Sequence, residues 1–191
     1  MRYHTTLLSV CIIFLSCDNP QPTYQYPAAN KSVARDSQLI ASPDSAGLYT
    51  RIETGKTTPE EIIAFARTLT GVPYLAGSTD PAQGFDCSGF ITYVFNHFGI
   101  TVPRRSMDFT NVNREVKVSD AKAGDLILFT GTDSTIRVVG HMGIVVSAAG
   151  APVTFIHSTS GKAMGVTETS LNPYYTGRFE KIIRIFRQND R

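Results

Sequence analysis

A cysteine stands where a loop becomes a helix in Gly84-Phe85-Asp86-Cys87-Ser88-Gly89-Phe90. Asp86 suits the N-cap of that helix, because its carboxylate can accept hydrogen bonds from the first free amides. The apolar residues that follow recur at the spacing of one helical face: Phe90, Ile91, Val94, Phe95 and Phe98. Gly99 stands where a helix commonly ends. The pattern predicts a helix over residues 87–98.

The place of Cys87 in the first turn of that helix favours a reactive thiol. The helix dipole and the free N–H groups are expected to lower the pKa of the thiol, and the thiolate is the nucleophilic form. A buried structural cysteine is the alternative, since free cysteines are common in protein cores. The glycines on either side, which allow close approach of other groups, favour a functional cysteine.

The chain has 191 residues, a length that is typical of one globular domain with extensions. Its formal net charge of +2 and the lack of a Lys/Arg run give no reason to expect a nucleic-acid partner. The three cysteines are Cys11, Cys17 and Cys87, so the body of the chain has no disulfide framework.

Residues 1–16 have the form of a signal peptide. Arg2 supplies a positive charge, and residues 7–15 form an apolar segment that is too short to span a bilayer. The segment ends in Phe14-Leu15-Ser16-Cys17, which resembles a bacterial lipoprotein signal. The resemblance implies cleavage before Cys17 and lipidation of that cysteine. Ordinary secretion after cleavage nearby is the alternative.

Residues 17–54 are predicted to form a tether, because prolines interrupt them and neither a helical nor a strand period is sustained. The folded domain is predicted over residues 55–191. It begins with a helix, for which Thr58 is the expected N-cap, Pro59 the first residue and Glu61 the partner in a capping box. A second short helix is predicted over residues 107–116.

From about residue 120 the apolar pattern is that of strands, predicted over residues 126–129, 140–146, 153–157 and 178–186. A tight turn centred on Ala149 would join the second and third strands into a hairpin. Directly opposed pairs would then be Val145 with Val153, Gly143 with Phe155, and His141 with His157, and such pairs share one face of a sheet. The small Gly143 would leave room for the helix end to pack there.

These positions predict a Cys–His–His arrangement. His141 would take the proton from Cys87, and His157 would hold His141 in the correct orientation. A zinc site with the same three residues as ligands is the alternative. The helix N-terminus at Cys87, and the lack of a carboxylate or second cysteine beside the histidines, favour the thiol chemistry.

Several motifs occur in the order in which one enzyme family has them: Gly71-Val72-Pro73-Tyr74, Phe85-Asp86-Cys87-Ser88-Gly89-Phe90, Val102-Pro103-Arg104, Gly124-Asp125-Leu126-Ile127, Gly140-His141-Met142-Gly143-Ile144 and Phe155-Ile156-His157-Ser158. Over residues 56–187 the chain resembles the NlpC-type cell-wall cysteine peptidases. The resemblance implies an α+β, papain-like fold, in which the nucleophile helix packs on a central antiparallel sheet. It also implies a hydrolase that cuts peptidoglycan stem peptides, typically between D-glutamate and a diamino acid such as diaminopimelate.

The resemblance also implies roles for single residues. Cys87 would be the nucleophile, His141 the base and His157 the orienting residue. Residues that would lie near the substrate or support the site are Tyr74, Asp86, Ser88 and Arg104. No cofactor or metal is expected, and the protein is expected to be a monomer in the bacterial cell envelope that contacts the membrane only through its lipid anchor. Ala76-Gly77-Ser78 departs from the two glycines that many members have there.

Other readings of the same residues remain open at this stage. The Cys–His pair would also serve an amidase or an acyl transferase. A lipid-anchored, non-catalytic cell-wall-binding protein and a metal-binding protein are further alternatives. Taken as residues alone, Arg104 and Arg105 would either bind a carboxylate or form a solvated face.

Overall fold

The computed structural model describes residues 51–191. The predicted signal peptide over residues 1–16, the lipidation site Cys17 and the tether up to residue 50 lie outside the described residues. Across residues 51–191, no helix has the length and apolar character that crossing a membrane requires.

The described chain is an α+β domain with three helices and eight strands. The helices are α1 (Pro59–Thr68), α2 (Cys87–His97) and α3 (Pro173–Arg178). The strands are β1 (Thr79–Asp80), β2 (Gly84–Phe85), β3 (Arg114–Val116), β4 (Leu126–Thr130), β5 (Val139–Val145), β6 (Thr154–Thr159), β7 (Gly165–Ser170) and β8 (Phe179–Arg184). An antiparallel sheet has the order β3-β8-β4-β5-β6-β7, and β1 pairs separately with β2.

The ends of the first two helices confirm the predictions from the sequence. Thr58 and Glu61 form both halves of a capping box, with Pro59 as the first helical residue of α1. Asp86 caps α2 by accepting a hydrogen bond from the Gly89 N–H. Gly99 follows the end of α2 with a φ of 69°, a left-handed conformation that glycine adopts at little cost.

The central strand β4 is buried on both faces, which is why its sequence is a continuous apolar run. Leu126 and Leu128 belong to the main core, which also contains the apolar residues of α1 and α2. Ile127 and Phe129 point to a smaller core that includes Tyr175 of α3. Each fully buried side chain of this size contributes about 1.5–3 kcal/mol, so the sheet is held from both sides.

Two predicted boundaries differ from the structure. The helix predicted over residues 107–116 is wrong: a 3₁₀ turn over Ser106–Phe109 precedes strand β3. The chain turns at Asn113, which has a φ of 52°, so that β3 can pair with β8. Residues 51–54, predicted as the end of the tether, pack on the domain, since Ile52 is buried in the main core and its N–H donates to Asn113 Oδ1 at 2.8 Å.

The predicted register of the β5–β6 hairpin is wrong by two residues. Val145 pairs with Phe155, and Ile144 pairs with Ile156. Pairing continues through the Val146 N–H, which donates to the Thr154 carbonyl, so the connecting loop has more than three residues. Because a shift of two residues preserves which side chains share a face, the two predicted histidines still lie on the same face.

Strand β7 and helix α3 were not predicted from the sequence. The last strand, predicted over residues 178–186, is confirmed as Phe179–Arg184, but Arg178 belongs to α3. The apolar pattern typical of a strand begins at residue 179. The six residues of α3 include a proline, a glycine and two tyrosines and have no sustained helical pattern.

The start of α2 is fixed by close contact with the chain before it. A Cβ atom added at Gly89 would lie 2.0 Å from the Ser78 carbonyl oxygen. We therefore expect Gly89→Ala to lower the free energy of unfolding by about 1–3 kcal/mol, because the backbone must move apart. Urea denaturation of the purified variant measures this change.

Gly177→Ala in α3 is the matched control for that change, since no atom lies within 4 Å of a Cβ added there. Alanine should leave stability unchanged or raise it by up to about 1 kcal/mol, because it favours helix more than glycine does. Equal stabilities of the two variants would contradict the close-contact interpretation.

Candidate active site

Cys87 is the first residue of α2, and its side chain lies against strand β5. Its Sγ is 3.8 Å from the Gly140 carbonyl oxygen, and the thiol is largely buried, with 9% of the residue exposed. Gly140 directly precedes His141 in β5. The packing of α2 therefore brings the predicted nucleophile to the backbone of the predicted base.

The two predicted histidines form a buried hydrogen-bonded pair. His141 Nε2 and His157 Nδ1 are 2.8 Å apart, and the rings meet edge to face with centroids 5.0 Å apart. They are diagonal neighbours on one sheet face rather than directly opposed, because of the shifted register. Gly143 makes room for His157 and not for the helix end: a Cβ there would lie 3.2 Å from the His157 Cβ and 2.8 Å from the Phe155 ring.

Thr169 of β7 contacts the far side of His157 and was missed in the sequence. Its Oγ1 is 2.9 Å from His157 Nε2. If His157 donates its Nε2–H to this hydroxyl, its Nδ1 is an acceptor for the Nε2–H of His141. With the hydrogen bonds in this direction, His141 carries its proton on Nε2, and its Nδ1 can accept another.

Aromatic rings enclose the histidine pair. Tyr175 stacks on His141 with centroids 6.0 Å apart, and it meets His157 edge to face at 5.4 Å. Phe129 and Phe155 complete the cover, with centroids 5.9 Å from His141 and 4.8 Å from His157 respectively. These rings exclude water from the imidazoles on the face that they cover, so the protein itself must satisfy the ring nitrogens.

Burial keeps both imidazoles neutral. Burial lowers the pKa of His141 well below its usual range, and His157 and the Arg178 charge lower it further. Burial and Arg178 together lower the pKa of His157 to about 4. The resting imidazole of His141 is therefore a free base at neutral pH.

The expected lowering of the Cys87 pKa is wrong for this structure. Burial is the largest effect and raises the pKa of the thiol, and the neighbouring Asp86 charge raises it further. The backbone N–H groups of Ser88, Cys87 and Met142 act in the opposite direction and do not outweigh these two effects. The resting pair therefore consists of a thiol and a neutral imidazole.

Asp86, Ser88 and Arg104 form one hydrogen-bonded group at the start of α2. Arg104 donates to both Asp86 carboxylate oxygens, at 3.0 and 2.8 Å, and to Ser88 Oγ at 3.0 Å. Because Asp86 also caps α2, this ion pair fixes the turn that carries Cys87. Arg105, in contrast, pairs with Asp108 away from this group.

Tyr74 is half-buried beside Cys87. Burial raises the pKa of its hydroxyl, the charges of ionised Cys87 and Asp86 raise it further, and a hydrogen bond with Ser160 opposes them. Its backbone N–H donates to the Met164 carbonyl oxygen at 2.9 Å. The structure thus brings all the site residues predicted in the domain to the region around Cys87 or His141.

A cavity of ≈ 730 Å³ opens beside His141. It is lined mainly by residues that sequence analysis did not select, and those used below are Ser160, Lys162, Thr169, Tyr174 and Arg178. A second cavity of ≈ 800 Å³, lined by residues from both ends of the described chain, contains no cysteine or histidine. The first cavity is therefore the candidate cleft.

The described residues do not favour the zinc alternative. Both ring nitrogens of His157 take part in hydrogen bonds, so neither is available to a metal. Among residues 51–191, no group of three or more Cys, His, Asp or Glu side chains could hold a metal ion.

Comparison with known proteins identifies one family and several similar proteins. Residues 71–184 match the NlpC/P60 family. The chain is 31% identical over 128 residues to the Gamma-DL-glutamyl hydrolase of Bacillus subtilis, covering 67% of this chain and 30% of that protein. It is 28% identical over 182 residues to the Murein DD-endopeptidase MepS/Murein LD-carboxypeptidase of Escherichia coli K12, covering 93% and 89%.

The fold has counterparts among solved structures. An NlpC/P60 family protein from Bacillus cereus superposes with a TM-score of 0.60 at 27% identity, covering 70% of this chain and 42% of that chain. The chain spans only 26–38% of the length of three Bacillus subtilis relatives that it matches.

The neutral buried histidines predict a loss of stability in acid. Between about pH 6.5 and pH 4 the unfolded chain binds a proton at residue 157 that the folded chain excludes, so stability falls as pH falls. Between pH 7 and pH 5 this site should contribute a loss of about 2 kcal/mol. Urea denaturation at the two pH values should show a smaller loss for His157→Gln than for the wild type.

Asn96→Ala is the control, because Asn96 is exposed on α2 and its side chain does not titrate. Its stability should change with pH as that of the wild type does. A His157→Gln protein with the wild-type pH dependence would contradict the assignment of a depressed pKa.

Thr169 predicts the tautomer of His157. In the wild type, the ¹⁵N shifts of the ring should report a proton on Nε2 of His157, and Thr169→Ser should retain this state. Thr169→Val removes the acceptor and should produce a mixture of tautomers at both histidines, as expected when an outer hydrogen-bond partner is lost. Unchanged ring shifts in Thr169→Val would show that the hydroxyl does not fix the tautomer.

Proposed function

The chain belongs to the NlpC/P60 family, and we propose that it is a cysteine peptidase that hydrolyses stem peptides of peptidoglycan. The observation that carries this proposal is the buried hydrogen bond between His141 and His157, next to a helix N-terminus that holds Cys87. Together these residues would form the Cys–His–His triad.

His141 would act through its Nδ1 atom. Its Nε2 is hydrogen-bonded to His157, so Nδ1 is the ring nitrogen that would accept the proton of Cys87. As the Cys87 Sγ adds to the scissile carbonyl carbon, the thiol proton passes to His141 Nδ1. The neutral His157 ring accepts a hydrogen bond from the imidazolium that forms and so stabilises it.

The remaining steps need no group from outside. The oxyanion accepts hydrogen bonds from backbone N–H groups at the start of α2. When the carbon–nitrogen bond breaks, His141 returns the proton to the leaving amine, and a thioester remains on Cys87. Water then adds to the thioester carbonyl carbon while one of its protons passes to His141. The carbon–sulfur bond breaks, His141 returns that proton to Cys87 Sγ, and the carboxylic acid leaves.

The raised pKa of Cys87 fits this order of events. A neutral resting pair transfers its proton during the attack rather than before it, so catalysis relies on His141 being an unprotonated base. The low pKa values of the two histidines meet that requirement at neutral and weakly acidic pH. No cofactor takes part.

We assign substrate binding to Tyr74, Asp86, Ser88 and Arg104. Tyr74 and Asp86 lie near enough to Cys87 to influence one another's charge. The bond cut would be that between D-γ-glutamate and a diamino acid such as diaminopimelate. This bond is consistent with a relative named Gamma-DL-glutamyl hydrolase.

The localisation part of the proposal rests on the sequence alone. Residues 1–16 would direct export, lipidated Cys17 would anchor the protein to a membrane, and the tether would hold a monomeric domain near the cell wall in the bacterial envelope. The relatives' names, which include a murein endopeptidase, are consistent with action at the cell wall.

Digestion of purified muropeptides, followed by mass spectrometry, tests the proposed reaction. The wild-type protein should release fragments split between D-glutamate and the diamino acid. Cys87→Ala should reduce the rate by at least about 10³-fold, because the covalent route is lost. His97→Gln, which changes an exposed histidine outside the site, should cleave at the wild-type rate.

Each contrary outcome has a definite meaning. Cleavage by Cys87→Ala at the wild-type rate would exclude Cys87 as the nucleophile. Products cut between sugar and peptide would identify an amidase. No cleavage of either sacculi or free stem peptides would favour a non-catalytic wall-binding protein.

A further inference from the structure

Arg178 is a buried cation without an anionic partner in the described part of the chain. It is the last residue of α3 and only 7% exposed. Its guanidinium donates to the carbonyl oxygens of Gly131 and Thr130, at 2.8 and 2.9 Å, and to the Tyr174 hydroxyl at 2.7 Å. All three acceptors are neutral, and no ion pair among residues 51–191 includes Arg178.

Arg184 is a second buried arginine of the domain, and it has a counter-charge. It is 8% exposed and forms an ion pair with the fully buried Asp125, with 2.9 Å between Nη2 and Oδ2. Burial of a charge without a counter-charge is costly, so buried arginines are usually paired. Within residues 51–191, Arg178 has neutral hydrogen-bond acceptors and the rings of Tyr174 and Tyr175, whose centroids lie 5.0 and 5.6 Å from its Cζ, but no carboxylate. A ligand with a negative charge would supply the missing counter-charge.

The surroundings of Arg178 fit such a ligand. Arg178 lines the ≈ 730 Å³ cavity beside His141, and no aspartate or glutamate lines that cavity. Lys162 at its exposed side adds a second cation, and hydroxyl groups, including those of Ser160 and Thr169, supply further hydrogen-bond donors. A carboxylate accepts hydrogen bonds from groups of this kind, and a guanidinium binds it with two parallel bonds.

We propose that this cavity binds a carboxylate of the amino acid released from the amine side of the cut bond, and that Arg178 is its principal partner. The inference rests on the proposed peptidase function, because the reaction decides which part of the substrate occupies this cavity. His141 must protonate the leaving amine, and His141 lines this cavity whereas Cys87 does not.

Binding of a carboxylate there would also assist the proton transfers. The Arg178 charge lowers the pKa of both His141 and His157, and so opposes formation of the imidazolium. A carboxylate paired with Arg178 neutralises this effect while the substrate is bound. Substrates that bear the carboxylate should therefore have a higher kcat as well as a lower KM.

A set of matched peptides tests the proposal on the wild-type protein. L-Ala-γ-D-Glu-diaminopimelate carries an α-carboxylate and a side-chain carboxylate on its leaving residue. Two analogues have one or the other carboxylate converted to the amide. We expect amidation of the recognised carboxylate to lower kcat/KM by about 10–100-fold, as for the loss of a charge-assisted pair. Comparison of the two analogues shows which carboxylate is bound.

Arg178 variants connect that preference to the residue. Arg178→Gln should cleave the acid and the amides at similar, low rates, whereas Arg178→Lys should keep a reduced preference for the acid. Arg67→Gln is the control: Arg67 is exposed on α1, where it pairs with Glu168, and its removal should leave the preference intact. Circular dichroism of each variant confirms that it is folded.

The outcomes separate this inference from the function on which it rests. Wild-type cleavage of all three peptides at equal rates would overturn the carboxylate site and leave the peptidase function standing. A full preference in folded Arg178→Gln would overturn the role of Arg178. Failure of the wild type to cleave any peptide would overturn both proposals. Because the peptide comparison uses the wild type, it does not depend on whether an Arg178 variant folds.

Discussion

The hydrogen bond between His141 and His157 is the constraint on which the arrangement of the domain depends. Two imidazoles that lie under aromatic rings must satisfy one another, since water cannot reach them there. They meet only if β5 and β6 present them on one face. Tyr175, and therefore α3, must pack over them, and α2 must bring Cys87 to the adjacent backbone. The positions of β5, β6, α2 and α3 are thus linked at one buried contact, and Thr169 sets the direction of its hydrogen bond.

Features governed by local physics were the ones that the sequence predicted well. The capping box at Thr58 and the N-cap at Asp86 depend on a few neighbouring residues, and both were confirmed. The pairing of the histidines depended only on strand parity, which survives a shift of two residues. The exact register did not follow, because it was derived from a three-residue loop, whereas the loop is longer and Val145 pairs with Phe155.

The residues that the sequence did not reveal act through long-range packing. Thr169 is one of several hydroxyl residues in an edge strand of mixed exposure, and nothing local marks it as a partner of His157. Arg178 looked like the start of a strand, and its missing counter-charge is visible only after folding. The thiol pKa was misjudged for the same reason: a helix N-terminus is a local property, whereas the burial that outweighs it is not.

Strand β7 lies at one edge of the six-stranded sheet, and it carries the hydroxyl that holds His157. Its first residues are tied to the segment before α2, where the Val166 N–H donates to the Val72 carbonyl oxygen. Edge strands open at a lower free energy than the strands they cover. Opening near Thr169 would remove the partner of His157 Nε2 and leave the tautomers of the histidine pair unfixed, while Cys87 and the main core stay packed. Heating would then abolish activity reversibly at temperatures below the unfolding transition of the domain.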